Sequence, residues 1–432
     1  MALPLLVKVI LPELLVLLQS YLKWSREAPR SLVERERRLR AMFEAMAQVI
    51  LAQDARADEL RVRPPECECG GRLQSKGLRK RTLVTTVGTV TFRRRYYTCD
   101  TCQAHRLPVD EAWGVESGCL SPELKAVGVD LASALPFREA RWWLNRLGGL
   151  RISLSTLWRA TQEAGAELVT AQAIELEKQK EIKGAAAFLS LLRGKGASGR
   201  WALAVDGLFL RVEREWREVK VAVMGQLNDA GDWQRQTASY VASSVPAHRF
   251  RALVVTHAVR RGITRQTALV ILSDGAAWIR AFSRSFPQAT LIRDWWHTVE
   301  YLWQAAKAIH GDNPQAASLV EALKSILWEG KVLEVRERLA QDRTGSRLRG
   351  ERKTKYDGAV GYLEHHQGAM RYADYRAERW PLGSGSAEST CKLIQARMKR
   401  SGMNWSSTGV ENMLTLRADY CGRLNASLYP HS

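Results

Sequence analysis

The sequence lacks an uninterrupted apolar span. Its first 24 residues are apolar, but Lys8, Pro12 and Glu13 break the run, and a membrane-crossing helix would avoid such residues. No basic segment leads the run and no small-residue cleavage site closes it, so a secretory signal is not expected. A buried or partner-binding helix is the reading, with an interfacial membrane helix as the alternative. Cysteine is scarce and odd in number, seven in 432 residues, with four of them between positions 67 and 102. That distribution argues against a secreted disulfide scaffold and for metal binding in a reducing compartment. Acidic side chains are also outnumbered, 45 against 65 Lys plus Arg, for a net charge of +20. The cations are spread along the chain, which favours an extended anionic partner, most simply nucleic acid, over a generally basic housekeeping enzyme. A 46% apolar composition excludes a disordered chain. The length allows roughly two to four domains.

What is present begins with helical sequence. Residues 1–62 form an N-terminal helical region, a possible assembly surface, in which Ser31 to Ala55 crowds its charges on one side of an apolar stripe. Arg63-Pro64-Pro65 ends it. Residues 63–118 then read as a zinc-ribbon-like module. Thr82–Val87 and Val90–Tyr97, rich in β-branched and aromatic residues, flank a turn at Gly88. Such a hairpin would bring Cys67 and Cys69 to Cys99 and Cys102, the tetrahedral thiolate set that zinc requires, with His105 as a spare ligand. Arg93, Arg94 and Arg95, with Lys76, Arg79, Lys80 and Arg81 across the hairpin, would set positive charge beside the metal; a solvated basic strand is the alternative.

Residues 119–192 read as helix-turn-helix-like. One helix follows Ser121-Pro122, a second follows Pro136, Gly148-Gly149 makes a turn, and Ser153 or Ser155 caps a third. The third helix would offer Thr156, Arg159 and Gln162 to a DNA groove. The charged run Glu175–Lys183 continues it towards a linker at Arg193–Gly199.

Beyond the linker the pattern changes. Trp201–Val212, Val219–Leu227 and Arg235–Ser244 read as three successive strands, and a helix spans His248–Arg261. Thr267–Leu272 is a continuous apolar run suited to a buried parallel strand. A helix through Trp278–Ser285 and a strand at Ala289–Ile292 follow. A meander and then alternating helix and strand give a mixed α/β sheet of the ribonuclease-H-like kind (199–297), interrupted by an all-helical insertion (298–380) and closed by a helix in 381–432. The tryptophans at 295, 296, 303, 328 and 380 read as packing residues.

The acids acquire meaning on that frame. Asp206 lies inside the first strand, where a charge is costly unless used. Asp274 ends the fourth strand, and ligands of open α/β sheets bind at strand C-terminal ends. Gly383-Ser384-Gly385-Ser386-Ala387-Glu388-Ser389 turns tightly into a basic helix, with Ser386 as expected N-cap and Glu388 in the first turn, where the helix dipole favours the ionised form. Lys392, Gln395 and Lys399 share the Glu388 face, with Arg397 and Arg400 nearby. An ordinary capped surface helix is the alternative.

Asp206-Gly207, Ser273-Asp274-Gly275-Ala276-Ala277-Trp278-Ile279, Phe286-Pro287, Asp294-Trp295-Trp296-His297, the Gly383–Ser389 stretch, and Arg397–Met403 followed by Trp405-Ser406 together resemble bacterial insertion-sequence transposases of the ISKra type, in the Mutator-like group of DDE transposases. The resemblance covers most of the chain from Cys67 to about Arg417. It implies an RNase-H-like core and cutting and joining of DNA at the ends of a mobile element. Asp206, Asp274 and Glu388 would be the catalytic acids holding two Mg²⁺ or Mn²⁺ ions, with Asp294 and His297 as auxiliary positioning residues. Arg93, Arg94, Arg95, Arg159, Lys392, Lys399 and Arg400 are the expected DNA contacts. A homo-oligomer, at least a dimer, in the bacterial cytoplasm at the nucleoid is implied, with no stable membrane association. One departure stands out: the family's first cysteine pair is C-x-x-C, and here Glu66 takes the earlier cysteine's place. The competing classes are a nuclease or resolvase that never joins strands, a catalytically silent DNA-binding derivative, and a membrane-surface protein.

Overall fold

The computed structural model describes residues 3–62, 66–115, 117–180, 197–344 and 346–428. The chain is multidomain α+β with mixed sheets, and it divides into two compact units, Met1–Thr161 and Gln162–Ser432.

The first unit opens with two helices, α1 (Leu3–Glu27) and α2 (Leu32–Arg61). Ser31 starts α2 through a capping box: its hydroxyl accepts the Glu34 N–H, and the Glu34 carboxylate accepts the Ser31 N–H at 2.9 Å. The expected break at Arg63-Pro64-Pro65 lies outside the described residues, and α2 closes at Val62. Two strands, β1 (Leu73–Thr85) and β2 (Gly88–Cys99), pair antiparallel from Leu73↔Cys99 to Thr85↔Gly88. The hairpin is longer than expected and its turn is the dipeptide Thr86-Val87, with Gly88 at φ +115° just beyond it. A short β3 (His105–Arg106) adds to β2, and α3 (Pro108–Ala112) follows. Leu83, Val90 and Phe92 on one hairpin face pack with Ala55 of α2 and with Val109 and Val115.

The three expected helices follow: α4 (Pro122–Ala134), α5 (Phe137–Gly148) and α6 (Leu154–Lys180). Ser121 caps α4, Gly149 ends α5 in the left-handed region at φ +68°, and Ser153 Oγ accepts the Thr156 N–H at 3.0 Å to start α6. Leu124, Leu144, Leu150, Ile152 and Leu157 form their common core. The C-terminal part of the charged run and most of the expected linker, residues 181–196, lie outside the described residues.

The second unit is built on a five-stranded sheet of order β6-β5-β4-β7-β8, from β4 (Arg200–Val212), β5 (Glu215–Leu227), β6 (Ser239–Ser243), β7 (Ala268–Ser273) and β8 (Thr290–Arg293). β4, β5 and β6 are antiparallel neighbours, whereas β7 runs parallel to β4 and β8 parallel to β7. The third expected strand is shortened, because Arg235–Thr237 forms a 3₁₀ turn in which Thr237 Oγ1 donates to the Gln234 carbonyl. Two helices, α7 (Ala247–Arg260) and α8 (Ala277–Ser283), cover one face: Trp201, Leu203 and Val205 of β4 join Phe250, Val254, Phe282 and Phe286 in one core. The segment after β8 is helical as expected, with α9 (Trp295–His310), α10 (Pro314–Trp328), α11 (Val332–Arg343), α12 (Gly350–His366) and α13 (Tyr372–Ala377). The chain then returns to the sheet as α14 (Gly385–Met398), packed on β4 and β5, and α15 (Ser407–Leu428), packed on β6.

Candidate active site and candidate metal centre

The parallel pairing of β4 with β7 ends at Val205↔Ser273, so Asp206 and Asp274 are the next residues along two adjacent central strands. Chain direction and hydrogen-bond register thus bring together two acids 68 positions apart in sequence, with no local signal linking them. Burial, reinforced by the Asp274 charge, holds the Asp206 carboxyl above the usual carboxylate range, against hydrogen bonds from the Gly207 N–H at 2.7 Å and the Cys391 thiol. The Asp274 carboxylate accepts the Ala276 N–H at 2.9 Å, and its carbonyl accepts the Tyr362 hydroxyl at 2.8 Å. Gly275 has φ +104°, and a Cβ there would approach both His366 and Tyr362 to 3.0 Å. This turn therefore requires glycine on two grounds.

Glu388 lies in the first turn of α14, as expected, but the cap differs. The helix starts at Gly385, one turn position ahead of the expected Ser386 cap, and Ser384 precedes it without a side-chain cap bond. The Ser384 hydroxyl instead donates to Asp294 Oδ2 at 2.8 Å, and its N–H donates to the same oxygen. Asp294, almost fully buried, also accepts the His297 N–H at 2.9 Å and so caps α9. One carboxylate thus ties the end of β8 to the entry of α14.

The Glu388 carboxylate does not close on the two aspartates. It is solvent-exposed and pairs with Lys392 Nζ at 2.7 Å, one helical turn on. Among the described residues, the three acids do not form a cluster of ligand atoms within 4.8 Å of one another; only the four cysteines do. The fields of all three acids nevertheless meet at Cys391: burial, then Asp206, Glu388 and Asp274, push its thiol above the ordinary range. Cys391 is buried, and it also donates to Asp206; its i+3 spacing from Glu388 was the available signal.

His297 stands beside a cleft of about 210 Å³ lined by Asp274, Glu300, Tyr301, Gln304 and Tyr362. Burial pulls its imidazole down, but Asp294, Glu300 and Asp274 outweigh that and raise its pKa. Its Nδ1 lies 3.3 Å from Glu300. Tyr301 and Tyr362 stack at 3.8 Å between centroids, and neither they nor Glu300 was singled out from sequence. Of the tryptophans read as packing residues, Trp295 is buried against Trp328 and Tyr372, whereas Trp296 is 68% exposed beside Gly383.

At the open end of the β1–β2 hairpin, Cys67, Cys69, Cys99 and Cys102 cluster as a possible metal site. Sulfur separations are 3.4 Å for Cys67–Cys102 and Cys67–Cys69 and 3.5 Å for Cys69–Cys99. Zinc–thiolate bonds of about 2.3 Å in a tetrahedron set sulfurs roughly 3.8 Å apart, so the donor set is compatible with zinc. The Cys102 and Thr101 N–H groups, against burial, draw the Cys99 thiol below its ordinary range, whereas, against backbone N–H groups, neighbouring sulfurs raise those of Cys67 and Cys102, so the thiols titrate as a set and not singly. The C-x-C spacing is accommodated by the positive φ of Gly70 and by Gly71, whose missing Cβ leaves room for Cys99 Sγ and Thr101. His105 lies outside the four-sulfur cluster, with its ring against Tyr96.

The expected DNA contacts divide. Arg93 and Arg159 are exposed. Arg94 is corrected: it is buried, its Nε donating to both Asp110 oxygens at 3.0 and 3.1 Å and its Nη1 to the carbonyls of Arg79 and Lys80. Period-2 alternation turns it inward between two outward neighbours. Arg95 is partly occupied by Glu59 at 3.0 Å. Gln162 does not face a groove, as its carbonyl and side chain both accept from Asn412. A recess of about 540 Å³ at the α5–α6 junction is lined by Arg138, Arg141, Trp142, Asn145 and Arg151. Lys392 pairs with Glu388, Lys399 Nζ lies 5.0 Å from the Trp216 ring centre, and Arg400 is exposed.

The profile of an uncharacterised protein family, UPF0236, matches residues 32–189, less than half of the chain. A comparison with curated proteins found no match. Among the described residues, no helix is long and apolar enough to cross a membrane.

Proposed function

We propose that the chain is a DNA transposase that binds the ends of a mobile element and cuts and joins DNA strands at a DDE site formed by Asp206, Asp274 and Glu388. The observation that carries this reading is the placement of Asp206 and Asp274 immediately beyond the last β4–β7 pair, Val205↔Ser273, with α14 bringing Cys391 onto Asp206 and the Glu388 charge nearby. The first and fourth strands of the sheet are neighbours, which supports a ribonuclease-H-like core.

Two neighbouring carboxylates, with the pKa of Asp206 raised by burial and further by the Asp274 charge, fit a divalent cation, which would relieve their repulsion. Asp206, Asp274 and Glu388 are the residues that would hold Mg²⁺ or Mn²⁺ ions, with the Glu388 carboxylate paired to Lys392 here. When bound, such ions supply an activated water and stabilise the leaving 3′ oxygen. The chain's own residues orient the set: Asp294 fixes the entry of α14, Tyr362 fixes the Asp274 turn, and His297 lines the same cleft as Asp274. Zinc in the four-cysteine cluster would brace the hairpin that carries Arg93. The leucine stripe Leu11, Leu15, Leu18 and Leu22 of α1, exposed at heptad spacing, supports a homo-oligomer assembled through that helix.

Strand joining tests the proposal. Full-length protein, Mg²⁺ or Mn²⁺, a labelled duplex carrying the sequences that flank its gene and a plasmid target should give a joined product, absent with Asp274→Ala. Cleavage without joining would assign the site to a nuclease. End binding without chemistry would assign a silent DNA-binding protein.

A further inference from the structure

The outer face of the β4–β5 hairpin changes character one residue past Asp206. On the near half, Trp201, Leu203 and Val205 are covered by α7 and α8. Beyond Gly207 the same face continues as Phe209 and Arg211, paired across the strands with Glu218 and Trp216. The alternate residues Leu208, Leu210 and Val212 point the other way and are fully buried, so the hairpin is well anchored. Phe209 and Trp216 are nonetheless 53% and 61% exposed. They occupy diagonal cross-strand positions, within reach of one another. The hairpin tip is held rigid by residues 404–407: Trp405 N–H donates to the Arg211 carbonyl at 3.0 Å, and its carbonyl accepts the Glu213 N–H at 2.8 Å.

An apolar protein surface would be an odd neighbour for the charges here. Lys399 Nζ lies over the Trp216 ring, and Arg211, Arg214 and Arg400 are exposed around the tip. Flat π-faces among cations match a strand with anionic phosphates and uncovered bases. Every unpaired base has a face to stack, whereas a duplex hides its faces between neighbouring pairs.

We propose that Phe209 and Trp216 form a stacking platform for unpaired bases of a DNA strand, whose phosphates Lys399, Arg211 and Arg400 hold. The proposal rests on the strand-cutting reading of Asp206 and Asp274: Phe209 lies three residues beyond Asp206 on the same strand and therefore on the opposite face of the sheet, so the platform would hold a stretch of DNA other than the one at the acids.

Binding without metal tests the platform apart from the chemistry. Fluorescein-labelled oligothymidine of about 20 nucleotides and a duplex of equal length are titrated by anisotropy over a range of salt, with the full-length protein. Phe209→Ala with Trp216→Ala should weaken single-strand binding roughly 5- to 100-fold while leaving the salt slope and the duplex affinity nearly unchanged. Trp216→Phe should retain most of the affinity, and Lys399→Gln should reduce the salt slope by about 0.7. Unchanged single-strand affinity in the double variant would overturn the proposal. So would an equal loss for both DNAs, or a change in oligomeric mass in place of a change in binding. Failure of strand joining by a wild-type protein that keeps the stacking signature would fault the reading of the acids and not the platform.

Discussion

Removing Asp110 should unlock the basic hairpin from within. Arg94 lies on the inner face of β2, and its guanidinium gives Nε to both Asp110 oxygens while Nη1 bonds the carbonyls of Arg79 and Lys80. Both partners of the ion pair are more than nine-tenths buried. Asp110→Ala leaves a desolvated cation with carbonyl dipoles alone, and breaking a buried pair from one side costs about 3–5 kcal/mol. Amide exchange followed by mass spectrometry on peptides covering β1 and β2 reads this locally, which matters in a chain of two compact units. Protection should fall between about a hundredfold and a few thousandfold. Asp110→Leu combined with Arg94→Met should recover part of it, because the Arg94 cation is then removed with its partner, although Arg81, 3.8 Å from Asp110, still loses its carboxylate. Arg93→Ala, on the outer face, should leave protection unchanged and weaken DNA binding. A loss of protection below about tenfold in Asp110→Ala would refute the buried-pair reasoning, and an Arg93→Ala variant as poorly protected as Asp110→Ala would refute the inward–outward assignment.

Three further outcomes are expected. Protein purified under reducing conditions should carry one zinc per chain by native mass spectrometry, and Cys99→Ser should lose it together with protection at the open end of the hairpin; full protection without metal would refute a structural site. His257, whose Nε2 is shut from solvent without a partner, has its pKa drawn down to about 4 by burial and then by Arg260 and Arg261. The unfolded chain therefore binds a proton that the folded chain refuses between about pH 6.5 and pH 4, so stability should decline over that window by no more than about 3 kcal/mol, and His257→Leu should flatten the decline. Asp206 has the opposite sense: its raised pKa means the folded state resists ionisation. Asp206→Asn should then raise the melting temperature in metal-free buffer at neutral pH, with the advantage vanishing as the pH falls below the ordinary carboxylate range, and a lowered melting temperature at neutral pH would contradict it.

Much of the fold was legible because local chemistry determines element type. Ser31, Ser121, Ser153 and Gly149 carry their capping roles in a few residues of sequence, and the β-branched runs around Gly88 announce a hairpin. The apolar run ending in Ser273-Asp274 reads as a buried parallel strand for the same reason. The four cysteines were legible too, since a hairpin between two pairs must bring them together. Less legible was whatever depended on a distant partner. The cap of α14 was misplaced by sequence because Ser384 answers to Asp294, ninety residues away. The Arg235–Ser244 strand was overextended because nothing local marks the 3₁₀ turn.

By itself, then, the sequence determined most of the helices and strands and the hairpin that gathers the thiols, since these follow from periodicity, capping and spacing within a turn or two. Tertiary structure alone decided which charges are spent and which are offered. Arg94 is consumed by Asp110 while Arg93 is not, Glu388 rests on Lys392 apart from the aspartates, Cys391 meets three acids, and Trp216 and Trp296 face solvent where Trp295 is buried. The reason is that burial and electrostatic coupling act between side chains brought close by strand register and helix packing, and one residue of alternation is enough to reverse which face a side chain joins.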